Sequence, residues 1–171
     1  AFDPSTVAAL MITHANLDHV GRIPKLVHDG FRGKIIATAP TLDLTMLNLN
    51  DTLHILTMKE DEECPLLFTE EDLKLTQTLF APIHYKQQIH VGEDMIVTLQ
   101  DAGHVLGYAM IEIEGDGKKV IVTGDIGNAP TPLLSNPTPF SNADVIVMES
   151  TYGDRIHEDR GARKQKLEHL I

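Results

Sequence analysis

Residues 12–21 read ITHANLDHVG. Two histidines, an asparagine and an aspartate fall between positions 14 and 19, directly behind the apolar run VAALMIT (7–13), which reads as a buried strand ending at His14. In so tight a loop the imidazoles of His14 and His19 and the carboxylate of Asp18 can converge on one point. Nitrogen and oxygen donors in that mixture suit zinc, with manganese or iron as substitutes. The same letters also describe an ordinary polar turn, so the rest of the chain has to decide between the two.

Outward from this loop, apolar runs alternate with helical patterns, which predicts a layered α/β fold. HVGRIPKLVHDG (19–30) reads as a short helix closed by Gly30, and KIIATA (34–39) as a second strand. From Pro40 to about Lys59 apolar residues recur at helical spacing. A further helix is expected over FTEEDLKLTQTLF (68–80), with Thr69 as N-cap and Asp72 three residues on, a capping box with Asp in place of Glu. Strands are expected at 83–91, 95–103, 107–115 and 118–124, with a hairpin turn at EGDGKK, and a last strand at 143–150 after a Pro-rich loop. The tail from about His157 reads as the start of a helix.

The ionisable residues cluster where these strands end: His14, His104 in DAGH, Asp125 in GD and Glu149 in ES. Strand ends in α/β proteins are where sites are built, because the sheet fixes the backbone and the loop presents the side chain. Each residue alone has a structural explanation. Together they favour a site assembled from several strands, with His104 and Asp125 completing a shell around the first loop. His28, His54, His84, His90, His157 and His169 fit no ligand spacing and read as surface or hydrogen-bonded groups.

Bulk properties narrow the classes. The 171 residues suffice for one domain or part of one, and no apolar stretch nears the ~20 residues of a membrane span. No secretory signal pattern is visible, although the chain opens without Met, which is compatible with removal of an upstream segment. A single cysteine, Cys64, excludes an internal disulfide framework and favours a reducing compartment; lying in KEDEECPLL, it reads as an inert thiol, and a cytoplasmic protein is expected. A net charge of −11 speaks against a nucleic-acid surface spread over the whole chain without excluding a local one. The acidic runs Glu60–Glu63 and Glu70–Asp72, and the basic tail with Arg155, Arg160, Arg163, Lys164 and Lys166, read as solvated faces.

THANLDHVG resembles the H-x-H-x-D-H-x-G signature of the metallo-β-lactamase superfamily, with Asn16 where that signature has its second histidine. DAGHVLGYAMIEIE, VIVTGDIG and VIVMESTYGDR are similar, in order and spacing, to the following motifs of its β-CASP branch of nucleic-acid processing nucleases. That branch includes ribonuclease J-like enzymes and the endonuclease of mRNA 3′-end processing. ESTYGDR points away from lactamases, glyoxalases and lactonases. The resemblance implies an α/β fold, part of an αββα sandwich, with residues 1–171 forming a partial domain that lacks the family's N-terminal strands and ends where the β-CASP domain would begin. An exposed sheet edge, or self-association into a homo-oligomer, is expected of such a piece.

By position, the family pattern implies two zinc ions. One is held by His14, residue 16 and His104, the other by Asp18, His19 and a histidine beyond this sequence, with Asp125 bridging. Asp18 and Glu149 are the expected catalytic residues, Glu149 positioning water or a ligand imidazole, while Thr151 and Tyr152 are expected to pack or bond to backbone. The implied reaction is metal-dependent phosphodiester hydrolysis of single-stranded RNA, without membrane involvement. An asparagine amide is a poor zinc donor beside an imidazole, so position 16 is a weakened ligand position and one zinc or none is expected to bind. An inactive piece, or a degenerate member that binds RNA or a catalytic partner, is the alternative to an active ribonuclease.

Overall fold

The apolar run before the histidine-bearing loop becomes β1 (Ala9–Met11) in the computed structural model, which describes residues 2–58, 66–127, 134–156 and 161–171. Its partner is β2 (Lys34–Ala37), paired in parallel, and β2 in turn pairs in parallel with β3 (Phe80–Pro82). Parallel neighbours require crossovers. The first crossover holds α1 (Leu17–Val20) and α2 (Ile23–His28); the second holds α3 (Ala39–Met58) and α4 (Glu70–Thr78).

A five-stranded sheet follows: β4 (Gln88–Val91), β5 (Met95–Asp101), β6 (Ala109–Gly115) and β7 (Lys118–Val122) form an antiparallel meander, and β8 (Val145–Val147) joins β7 in parallel. The β6–β7 turn is the expected hairpin, with Asp116 at φ 51° and Gly117 at φ 68°, both positive as a type I′ turn demands.

Two apolar layers hold the fold. Val20, Ile23, Val27, Phe31, Ile35 and Leu42 fill the space between the helices and the first sheet. Ile36, Val97, Leu99, Ala109 and Ile111 fill the space between the sheets. Ile35 and Ile36 are consecutive in β2 and serve opposite layers, which is the two-residue alternation of a strand buried on both faces.

Several boundaries differ from the sequence reading. The single helix expected over 19–30 is two, because Pro24 cannot continue a helix from α1 and instead occupies the first turn of α2. Strand β4 starts at Gln88 rather than residue 83: the Gln87 amide bonds the His84 carbonyl at 3.2 Å and Lys86 sits at φ 63°, so a turn occupies the interval. β3 was not expected, since Phe80 reads as the end of the preceding helix and Ala81 and Pro82 fall between the expected elements. It is tolerated at the edge of the sheet, where the missing Pro82 amide costs no ladder bond. In α3 the buried stripe is Thr41, Leu42, Thr45 and Leu49, while Leu47 and Met58 face solvent. The tail helix α5 spans Ala162–Leu170. Cys64, the acidic run at 60–63 and Arg160 lie outside the described residues.

The capping box of α4 forms in both halves. Thr69 Oγ1 accepts the Asp72 amide at 3.2 Å, and the Asp72 carboxylate accepts the Thr69 amide at 2.8 Å and lies 2.9 Å from His28 Nδ1 on α2. Burial alone would raise the Asp72 carboxyl, but these hydrogen bonds hold it below its ordinary value of 3.8. Its stabilisation is therefore complete above 3.8 and disappears as pH falls through the lower folded value. Thr69→Ala is expected to cost about 1 kcal/mol in denaturant unfolding at pH 7, as loss of a capping side chain typically does.

β8 is the exception to good burial. Val145, Ile146, Val147 and Met148 are each about half exposed, on both faces of an edge strand. Among the described residues, no helix is long and apolar enough to cross a membrane.

Candidate metal centre

The end of β1 is fixed before the loop turns. The Thr13 carbonyl accepts the Ala109 amide of the second sheet at 2.8 Å, and the Asn48 side chain of α3 donates to the Ala15 carbonyl at 2.8 Å. His14 is consequently buried, with only 2% of its side chain exposed. Asn16 is the N-cap of α1 but makes no capping hydrogen bond with its side chain, and His19 stands on the same short helix. From the second sheet, the turn after β7 delivers Asp125 opposite both histidines.

His14, His19 and Asp125 each offer one donor atom, all within 4.8 Å of one another. His14 Nε2 lies 3.9 Å from Asp125 Oδ2, and His19 Nε2 lies 3.9 Å from Asp125 Oδ1. These distances are too long for hydrogen bonds. Tetrahedral zinc with bonds of about 2.0–2.1 Å sets its donors roughly 3.3 Å apart, so a small closure of the three groups suffices. Among the described residues, His14 Nε2 has no hydrogen-bond partner despite being fully buried. A buried imidazole nitrogen without a partner, facing a carboxylate and a second imidazole, fits a divalent cation.

The protonation state agrees. Burial first, and then the neighbouring His19, pushes His14 down to about 4, so at neutral pH it is the uncharged imidazole a metal needs. His14 Nδ1 lies 2.9 Å from Thr13 Oγ1. With the proton on Nδ1 and donated to Thr13, Nε2 presents its lone pair toward Asp125. Thr13→Val removes that acceptor while keeping the volume, and is expected to weaken zinc binding about 10–100-fold by calorimetry.

The remaining sequence candidates are less tightly gathered. Asp18 is four-fifths exposed and reaches the group only through His19, at 3.6 Å from its Nε2. His104 lies outside the three-donor cluster; it meets the ring edge of Tyr108 at 4.8 Å between centroids, close enough to His14 to disfavour a second positive charge there. Glu149 lies two residues beyond β8, and its Oε1 accepts the Ile126 amide at 2.8 Å. That bond, ahead of those from Thr151, keeps Glu149 ionised below its ordinary range and ties it to the residue next to Asp125.

Sequence reasoning missed three residues of the site. Thr13 Oγ1 lies within hydrogen-bond distance of His14 Nδ1, at 2.9 Å. Tyr108, fully buried, stacks on His14 with centroids 3.8 Å apart and planes at 17°. Gly127 lets the Asp125 turn lie directly against the His104 loop, its amide donating to the Ala102 carbonyl at 2.8 Å. The only local signal for any of them was a tyrosine following GHVLG.

Comparison with known proteins places the chain in a family. A metallo-beta-lactamase superfamily domain matches residues 4–144. A ribonuclease of Thermus thermophilus is 36% identical over 156 residues, covering 91% of this chain and 34% of that protein. An endoribonuclease of Kluyveromyces lactis is 35% identical, over 99% of this chain and 23% of its own length, and an RNase J-like protein of Methanocaldococcus jannaschii is 34% identical, over 99% and 37%. The chain thus spans little more than a third, at most, of these relatives' lengths. With the domain match over most of its length and relatives that are ribonucleases of the β-CASP type, the chain belongs to the metallo-β-lactamase superfamily.

Proposed function

We propose that this chain supplies the metal-binding part of a zinc-dependent ribonuclease, with His14, His19 and Asp125 as the principal ligands. The observation that carries the reading is the buried, partnerless Nε2 of His14 facing Asp125 and His19. The names of the relatives add the substrate class, RNA, and the reading takes it as single-stranded. Zinc bound here would activate water near neutral pH and offset charge building on a phosphate during in-line displacement. The chain's own groups do the rest. Thr13 holds the His14 tautomer, Glu149 holds the Asp125 turn through the Ile126 amide, and Asp18 stands exposed beside His19 to accept a proton. His104, on the loop after β5 and against Tyr108, would be a further ligand. A cytoplasmic location accompanies this reading, in keeping with one cysteine in the whole sequence.

Asn16 weakens the site on the His14 side, since its amide replaces an imidazole. Zinc titration of this chain and of Asn16→His tests the assignment, with a gain of at least tenfold in affinity expected from the added ligand, as each ligand's share of zinc binding is about 3 kcal/mol. Cleavage of labelled single-stranded RNA by a longer protein containing this chain tests the activity. Loss of cleavage on chelation, regained with zinc, is the expected result; cleavage that survives complete chelation sinks the metal reading. A binding or assembly role is favoured instead if RNA is retained but never cut, even after Asn16→His.

A further inference from the structure

One aromatic side chain packs against two of the candidate histidines without being among the three clustered donors. Tyr108 lies face to face with His14, meets His104 with its edge, and is completely buried between them and Ala102, Met110 and Phe140. Its backbone is held from several sides. The Tyr85 hydroxyl donates to the Tyr108 carbonyl at 2.8 Å, the Ala102 amide reaches the same carbonyl at 3.3 Å, and the Tyr108 amide donates to Val105 at 3.1 Å. Burial, then Asp101, pushes the Tyr85 phenol up to about 12, so that donor persists at any pH of interest.

Two roles are open to such a residue: direct ligand or platform. An imidazole binds a cation through its in-plane lone pair, so an ion on His14 Nε2 lies in the His14 plane. The Tyr108 ring lies nearly parallel to the His14 ring, with centroids 3.8 Å apart, so it meets His14 with its face and not with its oxygen. The stacked geometry favours the platform.

We infer that Tyr108 is a positioning residue whose ring fixes the orientation of His14 and His104 toward the metal, a role that rests on the metal reading above. Stacking on one face of His14, with His19 at 3.8 Å tilted by 47° against it, fixes the plane of the buried imidazole. The edge contact does the same for His104, which is otherwise exposed. Pre-setting the rings removes an ordering cost from binding, so the benefit is seen in affinity.

The test compares the unaltered chain with Tyr108→Phe and Tyr108→Leu. Zinc titration is expected to show a 10–100-fold weaker Kd for Leu, the usual effect of losing a group that orients a ligand, and a Kd within about threefold of the original for Phe, which keeps the ring. Thermal unfolding with and without zinc separates this from packing. A residue that only fills space lowers both melting points equally, whereas loss of positioning shrinks the zinc-induced rise. In the metal-free protein, the ring-current displacement of the His14 and His104 ring protons is expected in the original and Phe chains and absent in Leu. An unchanged Kd in the Leu chain overturns the inference, as does a Phe chain as weak as Leu. Failure of the metal reading is distinct: the unaltered chain then binds no zinc, or Asp125→Asn binds it equally well. Tyr108→Met serves if Leu does not fold.

Discussion

Asp125→Asn is expected to weaken zinc binding by about 100-fold or more while leaving the metal-free fold intact. A structural zinc site is worth about 10–16 kcal/mol over four ligands, or roughly 3 kcal/mol for each. Asp125 contributes more than an average share, because it is the only anion in the three-donor group and stands against both imidazoles. Asparagine matches its shape, and Asp125 is a third exposed, so no cavity or stranded charge arises in the metal-free protein. Calorimetric titration gives the affinity and denaturant unfolding in chelator gives the stability. Equal affinities for the two proteins would mean that Asp125 is not a ligand.

Gly127→Ala is expected to be the most destabilising single methyl addition among the described glycines, at about 3 kcal/mol or more. The new carbon would lie 1.9 Å from the Gly103 carbonyl oxygen and 2.1 Å from its carbon. Both are backbone atoms of the loop that carries His104, so relief requires the two turns to separate. Separation also moves His104 away from Asp125, and zinc affinity falls along with stability. Gly117→Ala is the control: it meets nothing within 4 Å and is strained only by φ +68°, worth about 1–2 kcal/mol. Urea midpoints for the two variants check the ranking, and a Gly127 variant no worse than the Gly117 variant contradicts the close approach.

What the sequence disclosed and what it withheld divide by range of interaction. The strands, the α4 capping box and the I′ turn depend on residues within a few positions of one another, and local patterns reported them. The gathering of His14, His19 and Asp125 was legible because all three are chemically distinctive, His14 and Asp125 end apolar runs, and His19 shares the tight loop after His14. Asp18 was read as equal to them, yet α1 turns it outward into solvent, a direction that spacing does not encode. Tyr108 and Gly127 act through contacts between distant turns, where a tyrosine or a glycine carries no signal until the sheets are superposed. β3 was hidden because its partner strand lies more than forty residues earlier, at Ile35–Ala37, and no local alternation marks it.

The short parallel strand β8 has a kinetic consequence. Its three pairings with β7 close only after residues 123–144 have been looped, so they form late and release early. Each release also frees Glu149 from the Ile126 amide, and with it the turn bearing Asp125. By linkage, an ion that holds Asp125 in place must oppose that unzipping, so the amide protons of Val145–Val147 are expected to exchange with deuterium more slowly in zinc than in chelator.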